Sequence, residues 1–463
     1  MGSHGAMENI TERLALFISE MEWRQLPGEA LETGKLHILD TLGCILVGAG
    51  ERASEIITAH VNTLGGTQEA TLIPWGFKTN APYAALVNGV SGHVLDYDDY
   101  EWPSMAHPSV TVLPAVLAIA EKIGASGREF LIAYLTGMEV ISKIGPGVNP
   151  NHYDKGWHST GTLGTLGAAA ASSRVLKLDV DTTRMAMGIA ASQSGGLREN
   201  FGTMTKCYHA GHAARSGVEA ALLASRGFTA SRNILESDLG FCNLFTEQGG
   251  FDLKKITAHL GNPFSMVSPG VGIKSYPSCA ATHSSIDAMF ELIHRFDIRA
   301  EDVESVECGI FYLYPSMLIH SDPKTGLEGK FSLEFCMALA LKERRIGLGD
   351  FTDSKAQEPE IRELVKKVKK FVSKEVGERG TQYPGATIKV NLKNGKSHSH
   401  KTEKRKGSPA NPLSFDEVVN KFMDCAKSIH PRDQAKQILN TVLDLENQND
   451  MGTLIKLLLT GND

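Results

Sequence analysis

The chain has 463 residues, 42% hydrophobic and 22% charged, the balance of a globular protein long enough for roughly two to three domains. A formal net charge of −6 gives no reason to expect nucleic acid or an anionic membrane as partner. Seven cysteines, at positions 44, 207, 242, 279, 308, 336 and 425, make no CxxC pair, so reduced thiols, no disulfide and no structural zinc are expected.

The opening MGSHGA reads as a cloning remnant, with the native start at Met7. The stretch that follows, MENITERLALFISEM, is amphipathic with early acidic residues, unlike a secretory or transit signal, and the cytoplasm is the expected compartment. No apolar run reaches the roughly 18 to 20 residues of a membrane helix, since the best candidate, Val110 to Ala120, is interrupted by Pro114 and stopped by Glu121. Helical spacing of leucine and isoleucine predicts core helices over Ile10 to Met21 and Leu26 to Leu46. Ala81 to Val90 and Val110 to Ile119 read as buried helices, and alanine-rich helical texture continues over Arg128 to Ile144, Thr160 to Leu176, Val180 to Ser194 and Ala210 to Arg226. There is no βαβ alternation and no 20 to 50 residue repeat. Near Pro269 the texture changes. Val303 to Phe311 and Ala386 to Leu392 read as strands, the second ending in an Asn394-Gly395 turn before polar SHSHKTEKRKG. Helices are expected over Ile286 to Arg295, Phe331 to Lys342 and Glu360 to Lys374, and a Ser414-x-x-Glu417 capping box opens a last helical part.

The densest chemistry lies between Asn88 and Ala120, where His93, Asp96, Asp98, Asp99 and His107 are crowded between two apolar segments. Like charges this close cost stability unless cations, protons or a ligand compensate, so the run points to an acid/base site in a loop that dips into the core. A metal site is a rival reading of the same residues, but no HExxH-like spacing supports it. His158, in GWHSTGT, precedes a helix start rich in Ser and Thr, where backbone N–H groups suit a substrate carboxylate. The glycines of GTLGTLG recur every third residue rather than as GxGxxG, which argues for close helix packing and against a dinucleotide fold. Lys206 enters an alanine-rich helix and needs an anion, with His209 and His212 on the neighbouring face. Lys274 stands at the change of texture, where a cleft between domains would lie, and Cys279 follows as a buried structural thiol.

At these points the sequence resembles the MmgE/PrpD family of decarboxylases, dehydratases and epimerases of small polycarboxylates. The resemblance is carried by GHVLDYDDYEWPSMAHPSVTVLP, GWHSTGTLGTLGAAAAS, KCYHAGHAARSG, KSYPSCAATHSSIDA and KTGLEGKFSLEF, five motifs in the family's order. It implies a mainly α fold with a large all-α helical domain, residues 7–268, a smaller inserted α+β lid domain, 269–410, and a C-terminal return, 411–463, with the site in the cleft. It also implies metal-free, cofactor-independent lyase chemistry on a di- or tricarboxylic acid, and commonly a homodimer. Carried over by motif, Asp96, His107, His158, Lys206 and Lys274 are the expected catalytic residues, with His93, Asp99, Tyr100, His209 and Cys279 as substrate contacts. Two departures stand out: Tyr100 follows the DYDD step where relatives commonly have threonine, with one more residue before His107, and Cys279 stands where the decarboxylases have histidine. Among Tyr312, Tyr314 and His320 the family's lid tyrosine has no clear counterpart. The HPSVTVLP run is closer to the decarboxylases than to the HPSDN of the dehydratases. Decarboxylation of an aconitate-like acid is therefore the first expectation, followed by methylcitrate-type dehydration, epimerisation and non-catalytic polycarboxylate binding.

Overall fold

A computed structural model describes residues 9–461 except 379, 380 and 382, so the MGSHGA remnant and Met7 lie outside the described residues. The architecture is mainly α. In chain order come α1 (Ile10–Glu20), α2 (Gly28–Gly48), α3 (Arg52–Leu64), α4 (Ala81–His93), α5 (Ser109–Ile123), α6 (Gly127–Val148), α7 (Ser159–Val175), α8 (Val180–Gln193) and α9 (Met204–Ala224). The short strands β1 (Ala70–Thr71) and β2 (Lys78–Thr79) pair between α3 and α4. No helix among the described residues is long and apolar enough to cross a membrane. All seven cysteines are buried and unpaired.

The expected helices are present, with ends shifted by a turn or less in most cases. Two differ in kind: α3 was not anticipated, and α9 starts at Met204, so that Lys206 lies inside its first turn rather than before it. The crossing of α4 and α9 sets the site, because α4 ends at His93 and α9 begins beside Lys206. Two glycines allow it: a Cβ on Gly89 would come within 2.7 Å of the Gly211 Cα, and one on Gly211 within 2.3 Å of the Leu86 carbonyl oxygen. Gly211→Ala is expected to cost about 1–3 kcal/mol by overpacking. It should also push His93 from Lys206, so that a lowered thermal midpoint is accompanied by lost activity.

After Lys274 come α10 (Ala280–Phe296), β3 (Val303–Ile310), α11 (Leu333–Glu343), α12 (Pro359–Lys367), β4 (Val368–Val372), β5 (Ala386–Leu392) and β6 (Ser397–Thr402). The four strands form one sheet in the order β4-β3-β5-β6, with β3 and β4 parallel and the other pairs antiparallel. One expectation is corrected here. The helix expected through Lys374 stops at Lys367, because Val368 to Val372 pair with Val306 to Ile310. The lysine-rich pattern is shared by a helix and an edge strand, and pairing decides between them. The polar run after the Asn394-Gly395 turn forms the other edge, with Ala386 opposite Thr402.

The chain then returns as α13 (Phe415–Ala426) and α14 (Arg432–Leu443). Ser414 and Glu417 form the expected capping box. Buried apolar side chains fall into two clusters, one drawing on residues from Ile10 to Ile273 and from Val418 to Leu458, the other on Cys279 to Val390 together with Tyr153 and Phe201. α13 packs on α2, and its buried Lys421 ion-pairs with Asp40 at 2.6 Å. The same ammonium donates to the carbonyls of Tyr97 (2.7 Å) and Lys274 (2.9 Å). The returning helix thus braces the acidic loop from behind, joining the two segments that supply Asp96 and Lys274.

Candidate active site

The loop from Val94 to Pro108 turns sharply at Asp96, whose φ of +51° is left-handed, a region that aspartate tolerates better than most residues. This turn sends successive carboxylates in different directions. Asp96 faces two ammonium groups, Lys206 Nζ at 2.7 Å and Lys274 Nζ at 3.0 Å from its Oδ1, while the Lys274 ammonium also donates to the Asp96 carbonyl at 2.8 Å. Burial pushes the Asp96 carboxyl up, but Lys206 and Lys274 outweigh it and hold the group well below the usual carboxylate range. Asp98 accepts from His93 Nδ1 at 2.9 Å and lies 3.2 Å from His107 Nδ1. Burial raises the Asp98 carboxyl too, and His93 and His107 overcome it.

His93 is held neutral. Burial pushes it down to about 3, against the pull of Asp98 and with the help of Lys206. With Nδ1 donating to Asp98, its Nε2 is left to accept from Lys206 Nζ at 2.6 Å. His107 Nδ1 donates to the Asp99 carbonyl at 2.7 Å, and its Nε2 lies 3.9 Å from Asp96 Oδ1. His158, the residue before α7, sits with its Nδ1 3.0 Å from that of His209, so one ring donates and the other accepts. Burial, then Lys206, drives His158 well below the ordinary histidine value and His209 down to about 4. Three of the site's histidines, His93, His158 and His209, are thus neutral imidazoles.

Asp96, Tyr100, His107, His158, Lys206 and Cys279 line one cavity of about 40 Å³, whose lining also includes Trp102, Met105, Leu313, Met317, Phe201 and Phe331. The remaining expected residues are placed behind this wall. Lys274 is fully buried behind Asp96, His93 behind Lys206 and His209 behind His158. Asp99 is turned away altogether: its carboxylate accepts from the backbone N–H and the hydroxyl of Ser109 and pairs with His37 Nδ1 at 2.8 Å. It therefore caps α5, and only its carbonyl serves the site, through His107. His212 lies outside the cavity, with Nε2 3.2 Å from the Gln193 carbonyl. Of the lid candidates, Tyr314 is buried under Arg405 and His320 meets the Phe201 carbonyl, so Leu313 and Met317 form the wall instead.

Three residues escaped the sequence reading. Glu101 is a cavity-lining carboxyl that burial pushes up to about 7. Lys330, pushed down to about 8 by burial, donates to the carbonyls of Leu95 and Pro277 at 2.9 Å and pins the acidic loop to the segment before Cys279. It lies in KTGLEGKFSLEF, so the motif itself was the available signal. Arg405, fully buried, bonds the hydroxyls of Tyr100 and Tyr314, and no local pattern marks it.

The side chains of His93, Asp96, Asp98 and His107 offer ligand atoms within 4.8 Å of one another, the spacing of a cation site. The Lys206 ammonium already lies between His93 Nε2 and Asp96 Oδ1, so the set is arranged around an ammonium ion. Acid should undo it. His93 and His209 have folded values of about 3 and about 4, below the 6.5 of free imidazole, so the unfolded chain binds more protons in that window. Their contribution is whole above pH 6.5 and is lost as pH falls toward 3, while Glu101 contributes in the opposite sense, below pH 4.5 and lost as pH rises through 7. The thermal midpoint is expected to fall steadily from pH 6.5 to 4, which a calorimetric pH series checks.

The MmgE/PrpD N-terminal domain model matches residues 12–254, and the MmgE/PrpD C-terminal domain model matches 276–447. The chain belongs to the MmgE/PrpD family. The cis-aconitate decarboxylase of Mus musculus is 28% identical over 98% of this chain and 94% of its own length, and that of Homo sapiens 27% identical over 98% and 95%. The mitochondrial 2-methylcitrate dehydratase of Yarrowia lipolytica is 24% identical over 89% of this chain and 82% of its own. Decarboxylases and dehydratases of this family are lyases, and this MmgE/PrpD chain is a lyase with them.

Proposed function

We propose that the protein is a cofactor-independent lyase of a small di- or tricarboxylic acid, and that its reaction is decarboxylation of an aconitate-type substrate. The observation that carries this reading is the cavity end where Lys206, Lys274 and Asp96 meet His107 Nε2. Lys206 binds a substrate carboxylate, with Lys274 adding positive charge from behind Asp96. As the C–C bond to the departing carboxylate breaks, carbon dioxide leaves and the electron pair remains as a dienolate, stabilised by these ammonium groups and by a neutral His158 ring. His107 then protonates the other end of the dienolate, the former vinylic carbon beside the retained carboxylate, and the double bond moves to the carbon that lost carbon dioxide. Because its Nδ1 donates to the Asp99 carbonyl, His107 presents Nε2 to the substrate, 3.9 Å from Asp96 Oδ1, as the atom that hands over or takes a proton. Dehydration would use the same nitrogen as base, which keeps a methylcitrate-type dehydratase as the second reading, supported by the Yarrowia relative.

In this account residues 269–410 act as a lid on the helical unit of 7–268 and 411–463. The support is the cavity's position between the two apolar clusters and its volume of about 40 Å³, room for a few waters but not for a polycarboxylate. The test is proton NMR of the purified protein with cis-aconitate, trans-aconitate, 2-methylcitrate and citrate, with and without chelator. Itaconate formed from an aconitate regardless of chelator is the expected result. Formation of 2-methylaconitate would transfer the protein to the dehydratase reading.

A further inference from the structure

The cavity has two unlike faces. Asp96, His107, His158 and Lys206 occupy one, whereas Tyr100, Trp102, Met105, Leu313 and Met317 make up the other. On the second face the polar tips of both large aromatics are engaged by protein. The Tyr100 hydroxyl accepts from Arg405 Nε at 2.8 Å, with the guanidinium 4.6 Å from the ring centre, and Trp102 Nε1 donates to the Thr381 carbonyl at 3.0 Å. Gly272 lets Tyr100 lie there, since a Cβ at that position would come within 2.7 Å of the ring. Arg405 does not itself line the cavity. The residue after the DYDD step thus presents ring surface to the cavity.

Among the described residues, Lys206 is the one lysine or arginine that lines the cavity, and its ammonium is already 2.7 Å from Asp96. A carboxylate laid against the second face would be desolvated without a partner, and Glu101, beside it and pushed up to about 7 by burial, would add repulsion whenever ionised. An alkyl chain there would instead gain roughly fourfold in affinity per buried methylene. Met105 and Met317, unbranched thioethers, are the side chains able to shift and admit it.

We propose that the substrate is a polycarboxylate bearing an apolar substituent larger than methyl, seated against Tyr100, Trp102, Met105, Leu313 and Met317. This rests on the lyase reading above and deepens it by naming the substrate class. The experiment is calorimetric binding of succinate, 2-butylsuccinate, 2-hexylsuccinate and tricarballylate to the wild-type protein and to Met317→Glu, run beside the turnover panel. Binding at least tenfold tighter for 2-butylsuccinate than for succinate or tricarballylate is expected, with the gain lost in Met317→Glu. A flat series, or tricarballylate binding tightest, would overturn the proposal and leave the lyase reading standing. A rising series in a protein that turns over no acid in the panel would uphold the proposal and overturn only the reading of unsubstituted aconitate as the substrate.

Discussion

His107→Ala is expected to lower turnover by about a hundred- to ten-thousandfold, the usual range for loss of a positioned proton donor. The fold should survive, because the ring is held by one hydrogen bond to the Asp99 carbonyl and keeps some exposure at the cavity, while Asp98 retains its bonds to His93. Substrate binding should change far less than turnover, since Lys206 and Lys274 are untouched. His107→Gln is the companion variant. It can keep the bond to Asp99 but has no acidic proton to hand over, so it should be as slow as the alanine variant. Equal kcat in either variant and wild type would remove His107 from the chemistry.

Asp96→Ala should be damaging in a different way. It leaves the ammonium groups of Lys206 and Lys274 buried, close together and without their shared carboxylate, and breaking a buried ion pair from one side typically costs about 3–5 kcal/mol. Asp96→Asn should cost less, because the amide oxygen can still accept from the lysines. Chemical denaturation of both variants checks the order. If Asp96→Ala unfolds at the wild-type midpoint, the two lysines have another counter-charge and the account of the polar end fails.

The sequence made the helical framework visible because α4 to α9 bury nearly every side and are spelled in small and branched apolar residues. It also marked the acidic loop, since three carboxylates in four positions have no ordinary structural use. It could not say which carboxylate does what. Asp96, Asp98 and Asp99 are neighbours in the chain, yet the left-handed turn at Asp96 and the start of α5 send them to two lysines, two histidines and a helix end respectively. Arg405 was hidden for a related reason: its hydroxyl partners are 305 and 91 positions away, and it lies among lysines that stay at the surface. The strand Val368 to Val372 was misread because its lysines fit a helix as well as a sheet edge, and only β3 decides.

The central claim is that His107 hands a solvent-derived proton to carbon at the cavity's polar end. Proton NMR of turnover in deuterated water, with the acid that the protein consumes fastest, tests it most directly. The account predicts one deuterium in the methylene beside the retained carboxylate, the vinylic carbon of the substrate, and none at the carbon that lost the carboxylate, at a rate that collapses in His107→Ala. Product with no deuterium in that methylene, or a rate indifferent to His107, would contradict it.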